Sequence, residues 1–106
     1  MSKIEQGGTN VYADLGLENA EEMLVKAQLA TRIGEIIKRR KLTQVQAAEL
    51  LGMTQPKLSN LLRGQFRGIS EAKVLECLTC LGRNVEIVVK PTGRSQSTGH
   101  VSVIFA

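Results

Sequence analysis

A chain of 106 residues with 42% hydrophobic side chains and a net charge of +4 suits one packed domain with tails, able to bury somewhat over roughly 60% of its unfolded surface. No charged segment followed by an apolar run opens it, and its unbroken apolar runs are only a few residues long, so neither a signal peptide nor a membrane span is expected and a cytoplasmic protein is. The charge is unevenly placed. Residues 1 to 37 hold three Lys/Arg against six Asp/Glu, and residues 38 to 106 hold eleven against four, which makes the second part the one suited to a polyanion such as nucleic acid.

Residues 1–10 are polar with a Gly-Gly break and are expected to be disordered. The next stretch, NVYADLGLENA, carries Val11, Tyr12, Leu15 and Leu17 without a sustained period, so it either straps its own domain or waits for a partner. Tyr12, the chain's single tyrosine, is of the amphipathic kind that interfaces favour. Asn19 followed by Glu22 marks the start of a long helix over roughly 20–41. Its apolar stripe is Val25, Leu29, Ile33, Ile36 and Ile37, the expected wall of the core. Leu24 lies nearly opposite, among Ala20, Ala27 and Gln28, and suggests a second contact face. Gly34 in the helix interior costs about 1 kcal/mol relative to alanine and predicts close packing or a bend. The helix runs out into Lys38, Arg39, Arg40 and Lys41. One or two cations there complement the helix dipole, whereas four in a row fit phosphate contact better.

Residues 42–64, LTQVQAAELLGMTQPKLSNLLRG, read as two short helices joined by a tight turn. Thr43 and Gln46 form a capping box that starts a helix at Gln44, and Ala47, Ala48 and Leu51 fall on its inner face. Gly52 stands where a helix end needs positive φ, Met53 plugs the turn, and Thr54 caps a second helix with Pro56 in its first turn. Leu58, Leu61 and Leu62 face inward and Gly64 stops the helix. The methyl groups of Ala47 and Ala48 let two helices cross closely and steeply, as a helix-turn-helix requires; an ordinary buried αα-hairpin is the plainer alternative. In the following QFRGI loop, Phe66 and Ile69 are expected to tuck into the core and leave Arg67 free. Ser70 caps the last helix, whose apolar face is Val74, Leu75, Leu78 and Leu81, with Gly82 ending it.

Cys77 and Cys80 make a C-x-x-C that a zinc or redox site would use, but no second pair exists and His100 is remote. Both thiols are expected near the apolar face as small hydrophobes, with no metal and no cofactor. The β-branched run NVEIVVK predicts a strand at 84–90, stopped by Pro91, and 100–106 is a second candidate. An isolated hairpin is marginal in water, so Val85, Ile87 and Val89 are expected to pair across a two-fold axis with a second copy; a hairpin folded onto the subunit's own helices is the alternative. The layout is therefore residues 1–18 as tail and strap, 19–82 as the helical domain and 83–106 as the dimerising strand or hairpin.

Counted from Gln44, small residues at the fourth and fifth places, Leu-Gly-Met at the eighth to tenth, and leucines at the fifteenth and eighteenth resemble the helix-turn-helix of Cro/CI-type repressors, the XRE family. The resemblance implies a mainly α, lambda-repressor-like bundle of four helices with a short C-terminal β-strand or hairpin. The second helix of the unit would enter the major groove N-terminus first. Its outward Thr54, Gln55, Pro56, Lys57, Ser59 and Asn60 are the candidate base readers, with Gln55 and Asn60 each able to offer a bidentate amide to adenine. Lys38, Arg39, Arg40, Lys41, Gln44, Arg63 and Arg67 are the candidate phosphate contacts on double-stranded DNA with two-fold symmetry. Over about residues 10–91, with NVYADLG before the acidic helix and LGRNVEIVVKP after the last one, the chain also resembles small HigA-like antitoxins. That likeness implies a repressor of its own operon that neutralises a RelE/HigB-like toxin, and Val11, Tyr12, Leu15 and Leu24 are the candidate toxin contacts. A stand-alone, phage-type regulator and a helix-turn-helix kept as a protein adaptor are the other readings. One histidine, no carboxylate pair at a defined spacing and no phosphate loop make an enzyme the least expected outcome.

Overall fold

In a computed structural model, which describes residues 2–3, 20–95 and 97–106, the first long apolar stripe forms helix α1 (Ala20–Arg39). Acidic Glu21 and Glu22 occupy its first turn and basic Lys38 and Arg39 its last, the arrangement the helix dipole favours. Val25, Leu29, Ile33, Ile36 and Ile37 are all buried, as their spacing predicts. The expected cap Asn19 lies outside the described residues. Three shorter helices complete the bundle: α2 (Gln44–Leu51), α3 (Gln55–Leu62) and α4 (Glu71–Cys80). Helix α1 packs against α3 and α4, and α2 packs against the same two.

The short helices are defined by their ends. The Thr43 hydroxyl accepts from the Gln46 N–H at 3.1 Å while the Gln46 carboxamide accepts from the Thr43 N–H at 2.9 Å, the reciprocal capping box the sequence predicts. Thr54 and Ser70 cap α3 and α4 in the same one-sided way, accepting from the N–H groups of Lys57 and Lys73. Helix α2 closes on Gly52 at φ 66°, where the Gly52 and Met53 N–H groups return to the Glu49 and Ala48 carbonyls. A left-handed residue is needed at that point, and no other residue type occupies it without steric cost.

One continuous core results. Ile33, Leu51, Leu58, Leu61, Val74 and Cys77 are its fully enclosed members, and Ala47 and Ala48 are buried where α2 meets its neighbours. Phe66 and Ile69 tuck in from the α3–α4 loop, leaving Arg67 exposed. Two lysines hold the bundle together from inside its rim. Lys26 is buried with its ammonium 2.9 Å from the Ile69 carbonyl, and Lys73 donates to the Leu51 carbonyl at 3.2 Å, each satisfying a loop or helix-end acceptor.

Several expectations are corrected. Cys77 is buried, and burial pushes its thiol above the ordinary value, but Cys80 is exposed. The buried stripe of α4 runs Val74, Cys77, Leu78, Leu81, which leaves Cys80 off the apolar face. Gln28, placed by sequence on an open second face of α1, is buried, and Leu24 and Ala27 are half-buried. At Gly34 the approach of α3 is ordinary van der Waals packing: a Cβ there would sit 3.5 Å from Leu62 Cδ2. Gly34→Ala is therefore expected to stabilise the domain by about 1 kcal/mol, the helix-propensity difference, read as a higher urea midpoint with an unchanged slope.

The C-terminal segment also departs from expectation. Residues 84–90 join no ladder among the described residues, and they do not pair with 100–106. A strand-like pattern needs a neighbouring strand to become one, and no described segment of the same chain offers it. Ile104–Phe105 instead forms strand β2, antiparallel to β1 (Ser2–Lys3), with Ser2 opposite Phe105. Two residues expected to be disordered thus take part in a strand pair. The returning segment lies along α1: the Val101 N–H donates to the Glu21 carboxylate, and the Arg32 guanidinium stands 4.2 Å from the Phe105 ring centroid.

Candidate nucleic-acid interface

Burying one side of a two-turn helix exposes the other. In α3, Leu58 and Leu61 are fully enclosed, so Gln55, Pro56 and Lys57 in the first turn point to solvent, with Ser59 and Asn60 half-exposed on the next. Thr54 is exposed as well, but its hydroxyl is occupied as the helix cap, accepting from the Lys57 N–H at 3.3 Å. These are the six residues singled out as base readers, and they form one face at and beyond the helix N-terminus. A major groove admits a helix in that orientation. Asn60 differs from expectation in one respect: its Oδ1 accepts a 2.6 Å hydrogen bond from Arg63 Nη2, so its amide oxygen is already engaged.

The candidate phosphate-binding cations all lie on the surface. Residues 38–70 contain seven Lys/Arg and a single acidic residue, Glu49. Lys38, Arg39, Arg40, Lys41, Arg63 and Arg67 are all exposed, as is Gln44 at the first position of α2. Such groups hold a phosphodiester rail and set orientation, whereas amides and hydroxyls discriminate bases.

Lys41 has a feature the sequence reading missed. Its φ is 56°, the one positive value at a residue other than glycine among the described residues. It occupies at the end of α1 the place Gly52 holds at the end of α2, with the Lys41 and Leu42 N–H groups returning to the Lys38 and Ile37 carbonyls. A left-handed conformation costs an L-residue about 1–2 kcal/mol. Lys41→Gly is expected to raise stability by about 1 kcal/mol while weakening DNA binding at low salt, a trade measured by urea titration beside a fluorescence-anisotropy isotherm.

The other candidates are assigned to partner contacts rather than to DNA. Val85 is 36% exposed, Ile87 78% and Val89 91%, all in the segment after α4. Val11, Tyr12 and Leu15 lie outside the described residues, and Leu24 is half-buried on α1. No group of three or more His, Cys, Asp or Glu that could hold a metal ion occurs among the described residues. No helix among them is long and apolar enough to cross a membrane.

Comparison with known proteins agrees with this geometry. The pattern of the helix-turn-helix domain family matches residues 11–90. A solved structure named "Putative XRE Family Transcriptional Regulator" is 36% identical and superposes with a TM-score of 0.77, over 83% of this chain and 99% of that one. No curated protein matches. With the family pattern spanning three-quarters of its length and the fold of that regulator, the chain belongs to the helix-turn-helix domain family, among the DNA-binding transcriptional regulators of the XRE type.

Proposed function

We propose that this chain is an operator-binding repressor that reads bases with the exposed face of α3 and grips phosphates with the cations around it. The observation that carries the reading is the division of α3 into an inner side anchored by the fully buried Leu58 and Leu61 and a polar outer side free of acidic residues. Gln55, at the exposed start of the helix, is the principal reader. Gln55→Ala is expected to cost about 1–3 kcal/mol on the cognate site and much less on unrelated DNA, compared in parallel anisotropy titrations; equal losses on both would remove Gln55 from base reading.

Two copies acting together complete the reading. Val85, Ile87 and Val89 alternate along an exposed segment, and a two-fold strand pair between subunits would bury them while joining two reading heads.

The finer role is that of an antitoxin repressing its own operon. Its support is the HigA-like arrangement of NVYADLG, the helix-turn-helix and LGRNVEIVVKP along the chain, together with the acidic balance of residues 1–37 against a basic ribonuclease. Val11, Tyr12, Leu15 and Leu24 are the proposed toxin contacts. Footprinting on the chain's own promoter, with and without the product of the neighbouring reading frame, tests the whole scheme. Protection of a symmetric site supports the repressor, and a complex that co-purifies and neutralises a ribonuclease supports the antitoxin. Protection without any such complex leaves a stand-alone regulator.

A further inference from the structure

The contact between Asn60 and Arg63 changes what this end of α3 can recognise, granted the DNA-reading role proposed above. The two residues are three apart, one above the other on the helix surface, and Arg63 Nη2 donates to Asn60 Oδ1 at 2.6 Å. A guanidinium has donors only, so the amide edge turned toward it has to be the oxygen. Their backbones are fixed as well. The Gln65 N–H closes on the Asn60 carbonyl at 2.8 Å and the Gly64 N–H on the Leu61 carbonyl at 3.1 Å, with Gly64 at φ 80°, the same two-bond closure that ends α2. Asn60 is half-exposed and Arg63 exposed, so the pair remains accessible to a ligand approaching α3.

A free asparagine reads adenine by using both ends of its amide, donating to N7 and accepting from N6. With a guanidinium on the oxygen, accepting from an adenine amino group means bringing a further donor up to a positively charged partner. The carboxamide keeps its two Nδ2 donors, and the guanidinium beside it adds N–H groups and no acceptor. Guanine presents two adjacent acceptors, O6 and N7, in the major groove. We propose that Arg63 is a positioning residue that converts Asn60 from an adenine reader into a donor-only reader, so that the base facing this end of α3 is guanine.

The test is selection of binding sites from randomised duplexes by the full chain and by Asn60→Ala, Arg63→Ala and Arg63→Lys, with circular dichroism to establish that each variant is folded. The unsubstituted chain should enrich guanine at one position of each half-site, with a preference over adenine of roughly tenfold. Asn60→Ala should flatten that position alone. Arg63→Ala, which frees the amide oxygen, should move the same position toward adenine and leave the others unchanged, and Arg63→Lys should retain part of the guanine preference. If Arg63→Ala lowers affinity evenly and alters no base preference, Arg63 grips phosphate and the inference is overturned while the reading of DNA by α3 stands. Adenine enriched at that position by the unsubstituted chain overturns it equally. No enriched sequence at all would overturn both.

Discussion

Leu58→Ala is expected to destabilise the domain by about 2–5 kcal/mol, enough to lower the melting temperature by ten degrees or more in a domain of this size. Leu58 has no exposed surface and sits in the middle of α3, where it meets the same core as Ile33 of α1, Leu51 of α2 and Val74 of α4. Truncation removes its transfer free energy and leaves a cavity whose walls belong to several helices. Those walls cannot all collapse together, which places the cost toward the upper part of that range. The side chain lies between Lys57 and Ser59, so its burial also fixes which way the reading face of α3 points. Urea unfolding followed by circular dichroism measures the loss. Leu62→Ala supplies the comparison: Leu62 is only half-buried and should cost distinctly less. A loss below 1 kcal/mol at Leu58 would mean that α3 is not anchored through this leucine.

The helix-turn-helix was legible because its signals are local. The reciprocal bonds of Thr43 and Gln46, the left-handed Gly52 and the cap at Thr54 each involve residues a few positions apart, and each forms as the spacing predicts. The core stripe of α1 is similarly local, a period of 3.6 in one helix. What escaped depends on where the rest of the chain goes. Lys26 carries no local signal of its role, yet the residue is buried and its ammonium reaches a carbonyl 43 residues away. Of the candidate strand at 100–106, Ile104–Phe105 forms, and its partner, left open by the sequence, is Ser2–Lys3, which no local pattern could announce. Lys41 could not be read as left-handed, since that conformation is imposed by how α1 turns into Leu42. The Asn60–Arg63 bond is the instructive omission. An arginine three residues beyond an asparagine on one helix is an interaction that spacing alone offers, and its consequence for base choice lies in the donor inventory of the two side chains.

Ile87→Glu should separate the reading of DNA from the pairing of two readers. Ile87 is 78% exposed, so replacing it removes almost no packing within the chain, and the helical domain should keep its circular dichroism spectrum. If Val85, Ile87 and Val89 pair with their counterparts across a two-fold axis, the substitution sets like charges close together between strands and removes apolar burial at the centre of the contact. The expected result is a monomer at micromolar concentration by sedimentation. On a symmetric operator, the second head would no longer bind as an intramolecular partner, and affinity should fall on the order of 10²–10⁴-fold, while affinity for a single half-site stays near that of the parent. Salt dependence gives an independent check, because a monomer neutralises about half as many phosphates and the slope of log affinity against log salt should fall in proportion. A dimer that survives the substitution with operator affinity intact would rule out this segment as the joint. The two heads would then have to be coupled through another surface, and the exposure of Val85, Ile87 and Val89 would call for a different occupant.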